Sequence, residues 1–169
     1  WIQPIIIDRI QDRTGRTVFR RDQRECEGCT AEWRRQQPPN LPDTRQQVLN
    51  PVTAYQIVSM AEGVVQRGTA RGAVSSLGVP LGGKTGTTND YKDAWFIGFS
   101  PDLVVGVWVG FDQPINMGEG ETGGSLAAPI FADFMRDALR GVPPTPFRIP
   151  SGVRLVRIDY MTGLLPSAT

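Results

Sequence analysis

Three short segments, residues 81–88, 93–99 and 103–111, follow one another with almost no chain between them. Asn89-Asp90 and Ser100-Pro101-Asp102 separate them. Turn residues of this kind join antiparallel neighbours, whereas a parallel pairing needs a crossover of a dozen or more residues. The spacing therefore predicts an antiparallel meander. Its second and third segments are apolar at nearly every position, with Trp95, Phe96, Ile97 and Phe99 in one and Val104, Val105, Val107, Trp108 and Val109 in the other. Such runs are expected of strands covered on both faces, which makes Trp95 and Trp108 core residues rather than substrate stackers.

Helical signals flank this meander. Asn50-Pro51 offers a capping side chain followed by a proline whose φ suits a first turn. Val52, Tyr55, Val58, Ala61 and Val65 then recur at three- or four-residue spacing, an amphipathic stripe that ends near Gly68. A second helix is predicted over Leu126 to Leu139, with Pro129 near its first turn, Phe131, Phe134, Met135 and Ala138 on one face, and Gly141 as its stop. Upstream, residues 4–21 hold two β-rich stretches around Asp12-Arg-Thr-Gly15, a hairpin whose mixed Arg and Asp side chains read as a solvated face. From Cys26 to Thr44 the chain is polar and turn-rich, an irregular loop, and after Val142-Pro-Pro-Thr-Pro it ends in a β-like tail, Val153 to Leu165. The sum is an α+β fold: an antiparallel sheet with helices packed against it.

Composition narrows the chemistry. At 169 residues the chain is one domain or a large piece of one. A net charge of +1 gives no basic excess for binding a phosphate backbone, so nucleic acid is a poor partner. The chain has no histidine, so it holds no Ser-His-Asp or Cys-His centre, no His-ligated haem and no His-containing zinc site of its own. Base chemistry falls to a carboxylate, a tyrosine, or one of two lysines, Lys84 and Lys92. The longest apolar run, Leu103 to Phe111, is far short of the roughly 20 residues of a spanning helix. The opening Trp1-Ile-Gln-Pro carries neither an initiator Met nor a leader, and it reads as cut from the middle of a longer protein.

The stretch Gly82-Gly-Lys-Thr-Gly-Thr-Thr-Asn89 gathers one lysine, three glycines and three threonines. Two chemistries compete for it, beside the plain reading of a solvated turn and strand. Gly78 to Thr85 satisfies the phosphate-binding pattern GxxxxGK[ST] at every fixed position, with Val107 to Asp112 as a possible Walker B strand. That pattern needs a helix starting at the Lys-Thr pair, and Thr85-Gly-Thr-Thr-Asn-Asp is a poor helix former. The other chemistry places Lys84-Thr-Gly on a strand edge lining a cleft. There Gly86 lets a substrate backbone approach, Lys84 supplies positive potential, the Thr85 and Thr87 hydroxyls bind a carboxylate, and a backbone N–H faces an acyl oxyanion.

Lys-Thr-Gly is one of the motifs of penicillin-binding proteins and serine β-lactamases. The wider chain resembles the class A, bifunctional penicillin-binding proteins in Gly83-Lys-Thr-Gly-Thr-Thr-Asn-Asp90, Asp93-Ala-Trp-Phe-Ile-Gly-Phe99, Val105-Gly-Val-Trp-Val-Gly-Phe-Asp112, Ala127-Ala-Pro-Ile-Phe131 and Val64-Val-Gln-Arg-Gly-Thr69. The resemblance covers most of residues 1–150. It implies a penicillin-binding or serine β-lactamase type of fold and a D,D-transpeptidase that cross-links peptidoglycan stem peptides and is acylated by β-lactams. Carried over by motif, Lys84 tunes the site and hydrogen-bonds the serine of a second motif, Thr85 and Thr87 hold the terminal carboxylate beside Gly86, and the Thr87 amide completes the oxyanion hole. No cofactor is implied.

The chain departs from the family in one respect that matters. No serine here has a lysine three positions on, and no S-x-N triplet occurs. The resemblance puts both motifs upstream, with the glycosyltransferase domain and the membrane anchor, on the periplasmic side of the bacterial inner membrane. The expectation is that residues 1–142 are the C-terminal portion of a transpeptidase domain, with the hairpin and cysteine loop at 1–49, followed by an extension at 143–169. Alone, such a chain is inactive. A β-lactamase-like hydrolase and a P-loop nucleotide binder are the competing functions. Cys26 and Cys29 have redox-motif spacing, but Glu25 and Glu27 work against a reactive thiolate. In the oxidising compartment that the family occupies, a local disulfide between them is expected over free thiols. Asp93, Asp112, Glu119 and Glu121 form no defensible acid–base pair, and Gly118 to Gly124 reads as a mobile loop.

Overall fold

A computed structural model describes residues 4–32, 34, 39, 41–44 and 46–165. The chain divides into two compact units, residues 1–49 and 50–169.

In the first unit, β1 (Arg9–Gln11) and β2 (Thr17–Arg20) form the expected antiparallel hairpin. Asp12 builds its turn. The carboxylate accepts from the Thr14 amide at 2.9 Å, the Thr14 hydroxyl at 2.6 Å and the Arg16 amide at 3.0 Å. Gly15, at φ 85°, takes the left-handed conformation that closes the turn. Further on, the Arg24 guanidinium beside Asp22 holds its carboxyl well below the ordinary range. Cys26 and Cys29 are joined by a disulfide, with Cα atoms 5.5 Å apart. A ring this small contributes only about 2 kcal/mol by loop entropy, enough to fix a local bend. Part of the turn-rich stretch 38–43 lies outside the described residues.

The second unit is the meander with its helices. β3 (Gly82–Thr87), β4 (Asp93–Phe99) and β5 (Val104–Gly110) run antiparallel in the order β3-β4-β5. Opposite residues share a face, so the register pairs Lys84 with Ile97, Gly86 with Trp95 and Trp95 with Trp108 on one side. Gly83, Thr85, Phe96, Gly98, Val105 and Val107 lie on the other. Before the sheet runs α1 (Pro51–Gln66), where Asn50 Oδ1 accepts the Val52 amide at 2.8 Å and Pro51 opens the first turn. Its predicted stripe is at least half-buried throughout and lies along β3. A short α2 (Arg71–Val74) follows. After the sheet, a π-helical turn (Gly123–Ala127) leads into α3 (Ala128–Ala138).

α3 supplies the core. Phe131 and Met135 are fully buried, with Phe96 and Val74 beneath them, and the Phe96 and Phe131 rings meet edge to face at 4.8 Å. Burying each ring stabilises the fold by roughly 1.5–3 kcal/mol. Gly98 makes room for this: a Cβ there would stand 2.6 Å from the Phe131 ring.

The other face of the sheet is covered among the described residues only at its Gly82–Phe99 end, where Ala61 of α1 and Phe147 lie against it. Trp95 and Trp108 are 44% and 43% exposed, with Ile97 and Val104 more so. The expectation of a two-sided, buried sheet with both tryptophans in the core is therefore corrected. Apolar character on the second face reports that the face wants cover, not that this chain supplies it. The β-like tail is a second correction, since no strand forms in the described residues after 142. Asp159 organises that stretch as a turn, accepting from the Met161 and Thr162 amides at 3.1 and 2.8 Å. Before it, Phe147 lies edge-on against Phe99 at 5.6 Å.

Candidate active site

The Lys-Thr-Gly stretch lies on β3, whose only ladder partner is β4, so its other edge is unpaired among the described residues. Alternation along the strand sorts its side chains. Lys84 is exposed on the open face of the sheet, and its ammonium donates to the Thr85 carbonyl at 2.7 Å. Thr85 and Thr87 point to the other side, Thr85 half-buried and Thr87 exposed. Gly86 sits between them, and a Cβ there would meet the Trp95 Cβ at 3.3 Å.

This geometry removes the nucleotide-binding alternative. A P-loop needs a helix beginning at Lys84-Thr85, whose amides point at phosphate; here both residues are mid-strand, with their register on β4 unbroken from Gly82 to Thr87. The poor helix propensity of Thr85-Gly-Thr-Thr is the physical reason.

Beside the two hydroxyls stand residues that the sequence did not mark as functional, the exposed Thr69 and the buried Gly123. Thr69, just past the end of α1, places its hydroxyl 2.9 Å from the Thr85 hydroxyl. The Gly123 amide donates to Thr87 Oγ1 at 3.1 Å. Gly123 is buried so tightly against β3 and β4 that a Cβ would fall 2.6 Å from the Gly86 carbonyl oxygen and nearer still to that of Trp95. Its neighbour Gly124 lies against the Thr69 carbonyl, where a Cβ would stand 2.9 Å away. Thr122 and Ser125 fix this corner through a capping box: the Thr122 amide donates to Ser125 Oγ at 2.7 Å and the Ser125 amide to Thr122 Oγ1 at 3.2 Å. The end of the Gly118 to Gly124 loop is thus anchored on the KTG strand. The adjacent pair Gly123-Gly124 was the available signal, since paired glycines mark close backbone approach.

The turn after β3 is also held. Asp90 and Tyr91 adopt left-handed φ values of 60° and 51°, uncommon for such residues. Asp93 steadies the turn by taking the Thr88 hydroxyl at 3.2 Å and the Trp108 indole N–H at 2.9 Å. Met117 donates its amide to the Tyr91 carbonyl at 3.0 Å, a second tie between the glycine-rich loop and this strand end. The other candidate pair, Cys26 and Cys29, belongs to the first unit. No group of three or more His, Cys, Asp and Glu side chains among the described residues could hold a metal ion.

The arrangement offers a cation on one side of a strand edge, two oriented hydroxyls on the other, and a glycine between them where no side chain obstructs a bound chain. That is chemistry for an extended ligand ending in a carboxylate. Residues 2–136 match the family described as the Penicillin binding protein transpeptidase domain. Over 172 aligned residues the chain is 44% identical to Penicillin-binding protein 1A of Rickettsia bellii, covering 99% of this chain and 22% of the relative. It is 41% identical over 148 residues to Penicillin-binding protein 1A of Neisseria gonorrhoeae, covering 88% and 17%. The crystal structure of Penicillin-Binding Protein 1A from Haemophilus influenzae is similar with a TM-score of 0.66 at 27% identity, over 98% of this chain and 28% of that one. The chain therefore spans about a fifth of the length of the curated relatives it matches. By the extent of the family match, this chain belongs to the penicillin-binding protein transpeptidase domains.

Proposed function

We propose that this chain forms the KTG wall of a serine D,D-transpeptidase that cross-links peptidoglycan stem peptides and is inhibited by β-lactams. The observation that carries the reading is the edge of β3, with Lys84 on one face and the Thr85 and Thr87 hydroxyls on the other. In the reaction a serine Oγ supplied by an upstream part attacks the D-Ala–D-Ala amide carbon. The C–N bond breaks, D-Ala leaves with the serine proton, and the amine of a second stem then takes the acyl group, restoring the serine. Thr85 and Thr87 hold the terminal carboxylate, the Thr87 amide faces the developing oxyanion, and Lys84 tunes the site and bonds the second-motif serine. The upstream part also brings glycosyltransferase and membrane anchor, and the assembled protein works on the periplasmic face of the bacterial inner membrane. No helix among the described residues is long and apolar enough to cross a membrane.

The test is denaturing intact mass spectrometry after penicillin treatment, on this chain alone and on a polypeptide joining it to the upstream part. The isolated chain is expected to stay unmodified and the joined polypeptide to gain a long-lived penicilloyl adduct. An adduct or turnover on the isolated chain, or none on the joined one, overturns the reading; rapid loss of the adduct with continued β-lactam hydrolysis favours a β-lactamase-like hydrolase instead.

A further inference from the structure

A threonine hydroxyl has one proton and two lone pairs, so whatever donates to it from behind decides where its proton goes. At Thr87 the matter is fixed: the Gly123 amide only donates, so it fills a lone pair and leaves the Thr87 proton free for the exposed side. At Thr85 the partner is the Thr69 hydroxyl, and either oxygen of that 2.9 Å pair could donate. If Thr85 gives its proton to Thr69, it presents only lone pairs to a ligand and repels a carboxylate. If Thr69 donates, the Thr85 proton turns outward and both hydroxyls become donors.

We propose that Thr69 is a positioning residue for carboxylate recognition: its hydroxyl donates to Thr85 Oγ1 and thereby directs the Thr85 proton onto the ligand carboxylate. The proposal rests on the transpeptidase reading above and deepens it. Thr69 is held in place from two sides. The Gly68 and Ala70 amides on either side of it both donate to the Val64 carbonyl, at 3.2 and 3.3 Å, which pins the chain to the last turn of α1. Gly124 presses on its own carbonyl from the other side. With the Thr69 backbone so held, an anion outside Thr85 draws the Thr85 proton outward, and two hydroxyls in series then polarise one another in that direction.

The experiment uses the joined polypeptide carrying Thr69→Val, which keeps the side-chain shape and removes the hydroxyl, and Thr69→Ser, which restores it. The readout is the second-order acylation rate with a penicillin bearing its free carboxylate and with the methyl ester of the same penicillin. With the acid, Thr69→Val is expected to acylate about tenfold more slowly, the loss that follows when a hydrogen bond to a charged group is weakened. The ester rate should change little, and Thr69→Ser should stay within about twofold of the parent. The acid-to-ester ratio is unaffected by any loss of folded protein, so it decides even where Thr69→Val melts lower. Equal losses for acid and ester, or no loss, overturn the proposal while leaving the transpeptidase reading intact. Failure of the parent polypeptide to acylate at all removes both.

Discussion

Gly123 lies where three backbones meet, and its missing side chain is what lets its amide reach Thr87. A methyl group there would collide with the Gly86 and Trp95 carbonyl oxygens, atoms of two paired strands that have no rotamer to escape by. Gly123→Ala is therefore expected to cost about 1–3 kcal/mol. Thermal unfolding would show this as a melting temperature lowered by several degrees, and the Thr87 amide resonance should move as its hydroxyl loses a donor. An unchanged melting temperature would mean that the loop end is not seated on the strand. A second residue-level expectation concerns Asp12. Its carboxyl is held below the ordinary value by the Thr14 hydroxyl, with the Thr14 and Arg16 amides adding to this. A depressed carboxyl stabilises the folded hairpin above the unfolded-state pKa, and that contribution fades as pH falls through the lower folded value. Titrating from pH 6 down to pH 2 should thus move the Thr14 amide shift with a midpoint below the pKa near 3.9 of a free Asp. Asp12→Asn should abolish that late transition.

At the scale of elements, caps and core rings are separable. Asn50→Ala removes the acceptor for the Val52 amide at the start of α1 and should cost about 1 kcal/mol. Phe131→Ala empties the space between Phe96 and Gly98 and should cost about 3–5 kcal/mol. Urea unfolding of the two variants against the parent checks the ratio, which would approach unity if α3 were only loosely laid on the sheet. Each of these elements was legible in the amino-acid pattern, although of the face expected for α3 only Phe131 and Met135 are buried while Phe134 and Ala138 are exposed. Asn50-Pro51, the three- and four-residue stripe after it, and the turn residues at 89–90 and 100–102 act through local geometry, so they are visible one segment at a time. What stayed illegible is what depends on distant partners. Thr69 and Thr85 are 16 positions apart, and Gly123 is 36 from Thr87; no periodicity announces such bonds. The tryptophans failed for a different reason. A strand shows in its residues that both faces avoid water, but it carries no mark of which chain segment provides the cover.

For the molecule as a whole, that uncovered face leads to a further test of the proposed function. Trp95, Ile97, Trp108 and Val104 stand on the side of the sheet where Lys84 points, and all four are exposed. A contiguous apolar face of this kind is a poor surface for water and a good one for burial. If an upstream part completes the domain and brings a serine to Lys84, it has to approach from this side, and the two indoles become core residues only in the joined polypeptide. Labelling with 5-fluorotryptophan tests this directly, since Trp95→Phe and Trp108→Phe identify the two resonances whatever other tryptophans are present. In the isolated chain a soluble gadolinium chelate should broaden both resonances. In the joined polypeptide both should be protected, and the sharper lines should persist after acylation by penicillin, because closure of the domain precedes the chemistry. Equal broadening in the isolated and joined forms would show that the upstream part does not cover this face, and would place the Lys84 ammonium away from any second-motif serine.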